Sequence, residues 1–174
     1  AGGATEFLRL CDYRLAACRE CYGCAATGDC AVHDDYQPLL ARMLAADRLI
    51  FATPVFFMTV SAQAKLLIHR GQCLWVRKTR LHQPLFTPKR DRRGLLLAVG
   101  GSASQKQFDC VREPVRSCLR YLEVDYVGSL CVNQVDDKGA ILGRPEALAE
   151  AFRLGQMLAG TGPLPSKPVR VDLF

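Results

Sequence analysis

What most constrains this chain is the order in which its hydrophobic periods change. Short runs of strand character alternate with stretches of helical period along most of its length. Thr5 to Leu10 predicts a first strand. Tyr36, Leu39, Leu40, Met43 and Leu44 then fall at i, i+3, i+4, i+7 and i+8, one face of a helix. Asp34 or Asp35 is placed to cap that helix and to complement its positive end. Arg48 to Thr53 predicts a buried strand stopped by Pro54, which cannot extend a ladder. Val60, Ala64, Leu67 and Ile68 mark a second helix face, capped by Thr59 or Ser61. Gly94 to Val99 predicts a third strand, closed by Gly100-Gly101. Val111, Val115, Cys118, Leu119 and Leu122 form a long helix stripe, and Asp125 to Val132 a fourth strand. Asp137-Lys138-Gly139 reads as a turn, and Leu148, Ala151, Phe152 and Gly155 as the last helix.

Strand followed by helix, four times over, predicts an α/β fold: a parallel sheet with helices on both faces. Ligands in such sheets bind at the carboxyl ends of strands. The loops after residues 10, 53 and 99 are therefore the candidates for chemistry. The tail from Gly160 to Phe174, with three prolines and little periodicity, is expected to wrap the surface or a partner. A length of 174 residues predicts one domain, residues 1–174, with a Cys-rich loop at 11–35 and a basic insertion at 76–94. No apolar run approaches the roughly 18 residues of a membrane span. The first residues carry no signal-peptide pattern, and the expected location is cytoplasmic.

Nine cysteines are too many to ignore, and four of them follow Cys18-x2-Cys21-x2-Cys24-x5-Cys30. Such short spacings make no disulfide framework, and an expected reducing compartment argues the same way. Successive three-residue spacings match the way one loop wraps a [4Fe–4S] cluster, with a fourth thiolate supplied from elsewhere. Cys30 is near enough to be that fourth ligand. Gly23 and Gly28 suit the tight backbone such a loop needs. Zinc is the alternative, although structural zinc more often uses two separated C-x2-4-C knuckles; redox-active thiols without metal are another. Cys11, Cys73, Cys110, Cys118 and Cys131 lie in apolar surroundings and read as core or near-core residues.

The net charge of +6 is local: Arg77 to Arg93 holds seven basic residues and one acid. This polar, proline-containing stretch reads as a solvated loop or as a patch for an anionic ligand or an acidic redox partner. The charge does not cover a face with interleaved aromatics, which argues against nucleic acid. The three histidines form no Cys/His or Ser/His pattern. His33 is close to Cys30 in sequence, where it could hydrogen-bond a cluster or simply be an exposed loop residue.

The stretch from Cys18 to Arg70 resembles the iron–sulfur flavoproteins of the flavodoxin-like, NADPH-dependent FMN reductase superfamily. The matching pieces are the Cys cluster, Asp34-Asp35, Ala46-Asp47, Thr53-Pro54-Val55-Phe56-Phe57, and Ser61-Ala62-Gln63-Ala64-Lys65 leading to Arg70. Phe56 stands where the family commonly has Tyr, and His69 where it has Asp. Gly100-Gly101-Ser102 and Asp136-Asp137-Lys138-Gly139 also fit. The resemblance implies a three-layer flavodoxin-like fold with sheet order 2-1-3-4-5, bound FMN, and electron transfer between FMN and a [4Fe–4S] cluster. It implies that Thr53, Pro54, Val55, Phe56 and Phe57 cradle the isoalloxazine edge, with Phe56 or Phe57 against the ring. Gly100, Gly101 and Ser102 would form the second flavin loop, and Cys18, Cys21, Cys24 and Cys30 would ligate the metal. A homo-oligomer, dimer or tetramer, is implied, with each cluster loop near a neighbour's flavin; a ferredoxin-like redox partner would fit. Family members begin with a strand and a phosphate-binding loop. This chain is expected to begin at the second strand, so the phosphate-binding residues are not named.

Two rivals use the same residues otherwise. One is an NAD(P)H-dependent FMN or quinone reductase whose Cys cluster is structural or binds zinc, and whose basic segment receives the NADPH phosphate. The other is a zinc-stabilised binding module without enzymatic activity. No acid–base residue is obligatory for electron transfer, so no catalytic side chain is expected.

Overall fold

The computed structural model describes residues 3–174. Four parallel strands form the sheet: β1 (Arg48–Phe56), β3 (Arg93–Val99), β4 (Asp125–Val132) and β5 (Val169–Leu173). A two-residue strand, β2 (Thr59–Val60), pairs antiparallel with the end of β1, which gives the order β2-β1-β3-β4-β5. The helices are α1 (Tyr36–Ala45), α2 (Ala62–Arg70), α3 (Gln72–Trp75), α4 (Lys106–Tyr121) and α5 (Pro145–Ala159). No described helix is long and apolar enough to cross a membrane.

The period-two alternation of β3 sorts the core into two clusters. Leu96 and Ala98 join Tyr36, Leu39, Leu67, Phe108, Val111, Val115 and Leu119 beneath α1, α2 and α4. Leu95 faces the opposite way, onto Val127, Leu130, Ala147, Leu154 and Leu158 beneath α5. Each such fully buried aliphatic side chain contributes about 1.5–3 kcal/mol. Helices on both faces are as expected. Ser61 caps α2 by accepting the Ala64 amide. Asp34, not Asp35, serves α1, accepting the Tyr36 amide at 2.9 Å.

Several expectations need correction. Thr5 to Leu10 forms no strand: Leu10–Asp12 is a single 3-10 turn, and Phe7 is 83% exposed. The place beside β1 is held by β2 instead. β1 runs through Pro54 to Phe56, with Pro54 opposite Val99. Proline is tolerated there because β1 has no partner on its outer side until Val55 meets Val60. The tail does not merely wrap the surface, since Val169–Leu173 adds a strand to β4. Cys11 and Cys110 are exposed rather than core; Cys110 falls on the face of α4 opposite its buried stripe.

The basic segment departs furthest from a solvated loop. Val76–Arg80 continues α3 as a π-helical turn, and Arg92 is fully buried. Its Nε donates to Ala46 O at 3.0 Å, one terminal nitrogen to Met43 O at 2.6 Å, and the other to Leu122 O. Those carbonyls belong to the carboxyl ends of α1 and α4, where helices leave acceptors unpaired and carry partial negative charge. The charge of Arg92 is thus met by two helix ends rather than by a carboxylate. Burial lowers the Arg92 pKa, with Arg90 adding repulsion. Most of its neighbours are also engaged: Arg93 with Asp91 and Gly162 O, Arg90 with Asp47, and Lys89 with Asp125.

Candidate functional site

At the carboxyl end of the sheet, the register Pro54↔Val99 sets Val55 to Phe57 beside Gly100 to Ser102. The two expected flavin segments are therefore neighbours. The first differs from expectation, because Thr53 to Phe56 lie within β1 rather than in a loop. Thr53 is buried, and its hydroxyl is consumed internally, donating to Pro54 O at 2.8 Å and accepting the Ser61 amide at 3.2 Å. The turn from β1 to β2 has only Phe57 and Met58 between its paired residues, at φ 46° and 64°. This double left-handed turn normally falls to Asn-Gly. A residue with a Cβ loses about 1–2 kcal/mol in that conformation. The strained tip displays Phe57 wholly to solvent, flanked by exposed Phe56 and Met58.

Glycine in the second segment answers to crowding. A Cβ on Gly100 would stand 2.8 Å from Gln107 Oε1, and one on Gly101 would stand 2.6 Å from Asp136 Oδ1. Ser102 accepts the Ser104 amide through its hydroxyl and the Gln107 side chain through its carbonyl. Asn133, buried at the end of β4, donates to Ala103 O, while its Oδ1 has no partner. An exposed flat apolar tip and an orphaned acceptor fit a planar heterocycle with polar edges.

A cavity of about 1000 Å³ lies elsewhere, at the Cys-rich loop. Cys18, Cys21, Cys24 and Cys30 all line it, together with Arg70, Cys73, Trp75, Cys118 and Tyr121. The loop turns tightly around Cys24: the Ala25 amide donates to Tyr22 O, and the Gly28 amide to Cys24 O. Gly28 sits at φ 75°, and a Cβ there would stand 2.7 Å from the Arg77 Cβ. Glu20 and Tyr22, on either side of Cys21, also hold left-handed conformations. Such strain is typical of segments kept for a function. Burial pushes the Cys24 thiol pKa up, with Cys30, Cys18 and Cys21 adding to the effect. Cys73, behind the loop, is likewise pushed up by burial, with Cys30 and Cys24 adding to the effect.

One guanidinium fastens both ends of this loop. A terminal nitrogen of Arg70 donates to Ala16 O at 3.1 Å and to Asp34 Oδ2 at 2.5 Å. The other terminal nitrogen donates to Val32 O at 2.8 Å, and the Tyr36 ring lies 4.5 Å away across the guanidinium face. Ala16 precedes the four cysteines; Val32 and Asp34 follow them. Asp34 also accepts the Ala16 amide, Asp35 accepts the Arg14 amide, and Gln37 donates to Cys30 O. Burial works to raise the Asp34 pKa, but Arg70 and two amides outweigh it and hold it below the ordinary carboxylate range. Sequence reasoning saw Arg70 only as the end of a family motif. Nothing local in the sequence links it to residues 36 to 54 positions earlier.

Among the described residues, no group of three or more His, Cys, Asp or Glu side chains stands arranged to hold a metal ion. The four thiols instead share one cavity wall. Their soft sulfur donors suit iron–sulfur clusters and zinc alike. A four-iron cube carries its irons at separate corners, so thiols spread around a cavity fit it. His33 is exposed, whereas His69 lines the cavity. Of the basic segment, Arg77 pairs with Asp29 of the loop, and Arg80 stacks over Trp75 on the cavity wall.

The two sites lie at opposite ends of α4. Gln107, in its first turn, touches the Ser102 loop, whereas Ser117, Cys118 and Tyr121 at its end line the cavity. From Gln107 to Cys118 the helix rises about 16 Å at 1.5 Å per residue.

The sequence profile described as NADPH-dependent FMN reductase matches residues 1–132. An iron–sulfur flavoprotein of Methanocaldococcus jannaschii is 41% identical over 73 residues, which is 42% of this chain and 38% of that protein. One from Archaeoglobus fulgidus is 33% identical over 87 residues, 50% of this chain and 43% of that protein. The matched part thus spans less than half of either relative. Among solved structures, a flavone reductase superposes with a TM-score of 0.59 at 19% identity, over 91% of this chain and 52% of its own; this likeness concerns the fold alone.

Proposed function

This chain belongs to the NADPH-dependent FMN reductase family, and we propose that it works as an iron–sulfur flavoprotein, an oxidoreductase that moves electrons between FMN and a [4Fe–4S] cluster. The observation that carries this reading is the shared cavity wall of Cys18, Cys21, Cys24 and Cys30, with both ends of their loop fastened to Arg70. The names of the two archaeal relatives agree with it.

When bound, FMN would supply two-electron chemistry that can be delivered singly to a cluster. Phe57, Phe56 and Val55 would pack on the isoalloxazine and exclude water, with Gly100, Gly101 and Ser102 along the neighbouring edge. Asn133 Oδ1 would accept from a flavin N–H. Cys18, Cys21, Cys24 and Cys30 would ligate the cluster as thiolates, a form that burial disfavours at Cys24. Arg70 and Arg77 would offset part of the added negative charge.

The sites lie on the two ends of α4, and electron transfer weakens steeply with distance. That favours a homo-oligomer in which the loop of one subunit approaches the flavin end of another. A redox partner protein meeting the cavity rim near Arg80 is compatible with the same arrangement.

Iron, zinc and flavin content of anaerobically prepared protein tests the reading, together with its visible spectrum. About four irons per chain and a broad shoulder bleached by dithionite are expected. Zinc without iron would sink it in favour of a flavin reductase with a structural Cys site. A colourless protein that takes up neither iron nor flavin would leave only a binding module.

A further inference from the structure

We infer that Gln107 and Asn133 are positioning residues: their side-chain amides hold carbonyls of the second flavin segment inward, so that the backbone amides of Gly101 and Ala103 face outward as donors to the polar edge of the flavin. Both roles rest on the flavin reading above.

The segment between β3 and α4 has little of its own to hold it. Gly101 to Gln105 are exposed. The helix that follows starts at Gln105 without a side-chain cap. Three carbonyls of the segment are nonetheless held from outside. Gly100 O accepts the Val135 amide at 3.2 Å. Ser102 O accepts the Gln107 side chain at 2.8 Å, and Ala103 O the Asn133 side chain at 3.2 Å. Gln107 and Asn133 are each 3% exposed. Two buried side-chain amides thus hold consecutive carbonyls of an exposed segment. Gly100 leaves room for this, because a Cβ there would stand 2.8 Å from Gln107 Oε1. The Asn133 backbone is itself fixed, its amide donating to Leu173 O and its carbonyl accepting from Arg144.

In a trans peptide, a carbonyl and the amide that follows it point to opposite sides of the chain. Holding Gly100 O and Ser102 O inward therefore turns the Gly101 and Ala103 amides outward. Neither donates to any group among the described residues. The Ser104 amide, turned outward by the hold on Ala103 O, is taken up by Ser102 Oγ at 3.1 Å. That leaves two free donors, on alternate residues, in the segment that adjoins Val55 to Phe57.

Reduction of an isoalloxazine places negative charge on its pyrimidine edge. Donors fixed before that charge develops favour the reduced form without reorganising to meet it. A segment free to turn its peptides would hold the two forms more nearly alike.

Gln107→Met keeps the length and packing of the side chain and removes its donor. Dissociation constants of oxidised and dithionite-reduced FMN are measured by anaerobic calorimetry on the full chain and on the variant. The phosphate of FMN contributes alike to both forms and drops out of their ratio. The variant is expected to lose at least tenfold more affinity for reduced than for oxidised FMN, a fall of about 30 mV in the two-electron potential of the bound flavin. An equal change in both constants, or no change, would overturn the inference alone. Failure of the unsubstituted chain to bind FMN in either form would overturn the flavin reading and this inference together.

Should the variant fail to fold, the unsubstituted protein decides. In protein labelled with 15N-glycine and 15N-alanine, the Gly101 and Ala103 amide signals are expected to shift, and their hydrogens to exchange more slowly, when reduced FMN binds. Binding that leaves both amides unaltered would overturn the inference.

Discussion

Two fully buried arginines fasten this molecule, and they differ in one nitrogen. Arg92 closes the amino-terminal end of the sheet. All three of its nitrogens donate to carbonyls at the ends of α1 and α4. Arg70 closes the Cys-rich loop with both terminal nitrogens, yet its Nε is buried without a partner. Both side chains are shielded from water, both span distant segments, and both stack on an aromatic ring, Phe86 for Arg92 and Tyr36 for Arg70. A saturated guanidinium belongs to the fold. The one with a donor left over lines the cavity that the four thiols share.

The largest expected effect tests the saturated member. Arg92→Ala leaves three carbonyls without their donor and removes the cation that two helix ends share. A loss of about 3–5 kcal/mol is expected, within the range found when a buried charge network is broken. Urea denaturation is to be compared between iron-loaded and iron-free protein. An equal loss in both forms marks Arg92 as structural. A loss confined to the loaded form would break the distinction between the two arginines.

The difference between them also explains what could be read in the chain. Element order was legible because it lives in local periodicity, in the stripes of α1 and α4 and the run of β3; α5 was placed, but its expected stripe is the wrong face, since Leu148 and Phe152 are exposed while Ala147, Leu154 and Leu158 are buried. β1 was underestimated because proline is forbidden only where a ladder bond is needed, and the openness of an edge is a tertiary fact. β5 was missed because Val169 to Leu173 is short and follows three prolines; β4 makes it a strand. The four cysteines that share the cavity wall were legible as a group from their spacing. Arg92 was hidden because a lone arginine in a basic run looks solvated, and its acceptors are backbone carbonyls with no side-chain signature. Arg70 and Asp34 were visible as motif residues, but their meeting across 36 positions was not.

Asp34→Asn tests the unsaturated member. The substitution keeps an acceptor for only one of the Ala16 and Tyr36 amides, which bind different oxygens, and removes the charge facing Arg70. A hydrogen bond to a charged group contributes about 1.5–3 kcal/mol, so a loss of that size is expected, concentrated in the loop. Acid should do the same to the native protein. The folded-state pKa of Asp34 is depressed, so its contribution is fully present above the unfolded value of about 3.9 and is lost as pH falls through and below it. Trp75, the single tryptophan, lines the cavity and reports on it. Its emission should shift to the red below about pH 4 in the native protein. In Asp34→Asn that acid step should vanish, leaving the emission already shifted at neutral pH. An unaltered acid step would detach Asp34 from the loop.

A smaller effect sharpens the comparison at the other end of α4. The orphan Nε is one local cost; the left-handed Phe57 turn is another. Phe57→Gly relieves a left-handed conformation and should raise stability by about 1 kcal/mol. It also removes the exposed ring, so flavin affinity should fall. Thermal melting and flavin fluorescence quenching check the two signs. Higher stability with unchanged flavin binding would separate the strain from the site.

The smallest effect is expected where the geometry looks most similar. Arg77 reaches Asp29 at 3.3 Å, an arginine from outside the Cys-rich loop pairing with a carboxylate of it, as Arg70 does with Asp34. The difference is water. The Asp29 side chain is 76% exposed, against 14% for Asp34. An exposed pair gains little Coulomb energy over two solvated charges and must order two side chains, which leaves below about 1 kcal/mol. Asp29→Ala should therefore leave the denaturation midpoint, the iron content and the Trp75 emission within error of the native values, and added salt should change nothing further. A loss as large as that of Asp34→Asn would mean that charge near the loop, rather than a buried clasp at its ends, holds the cysteines in place. The contrast between saturated and unsaturated guanidinium would then lose its force, because any nearby cation would serve.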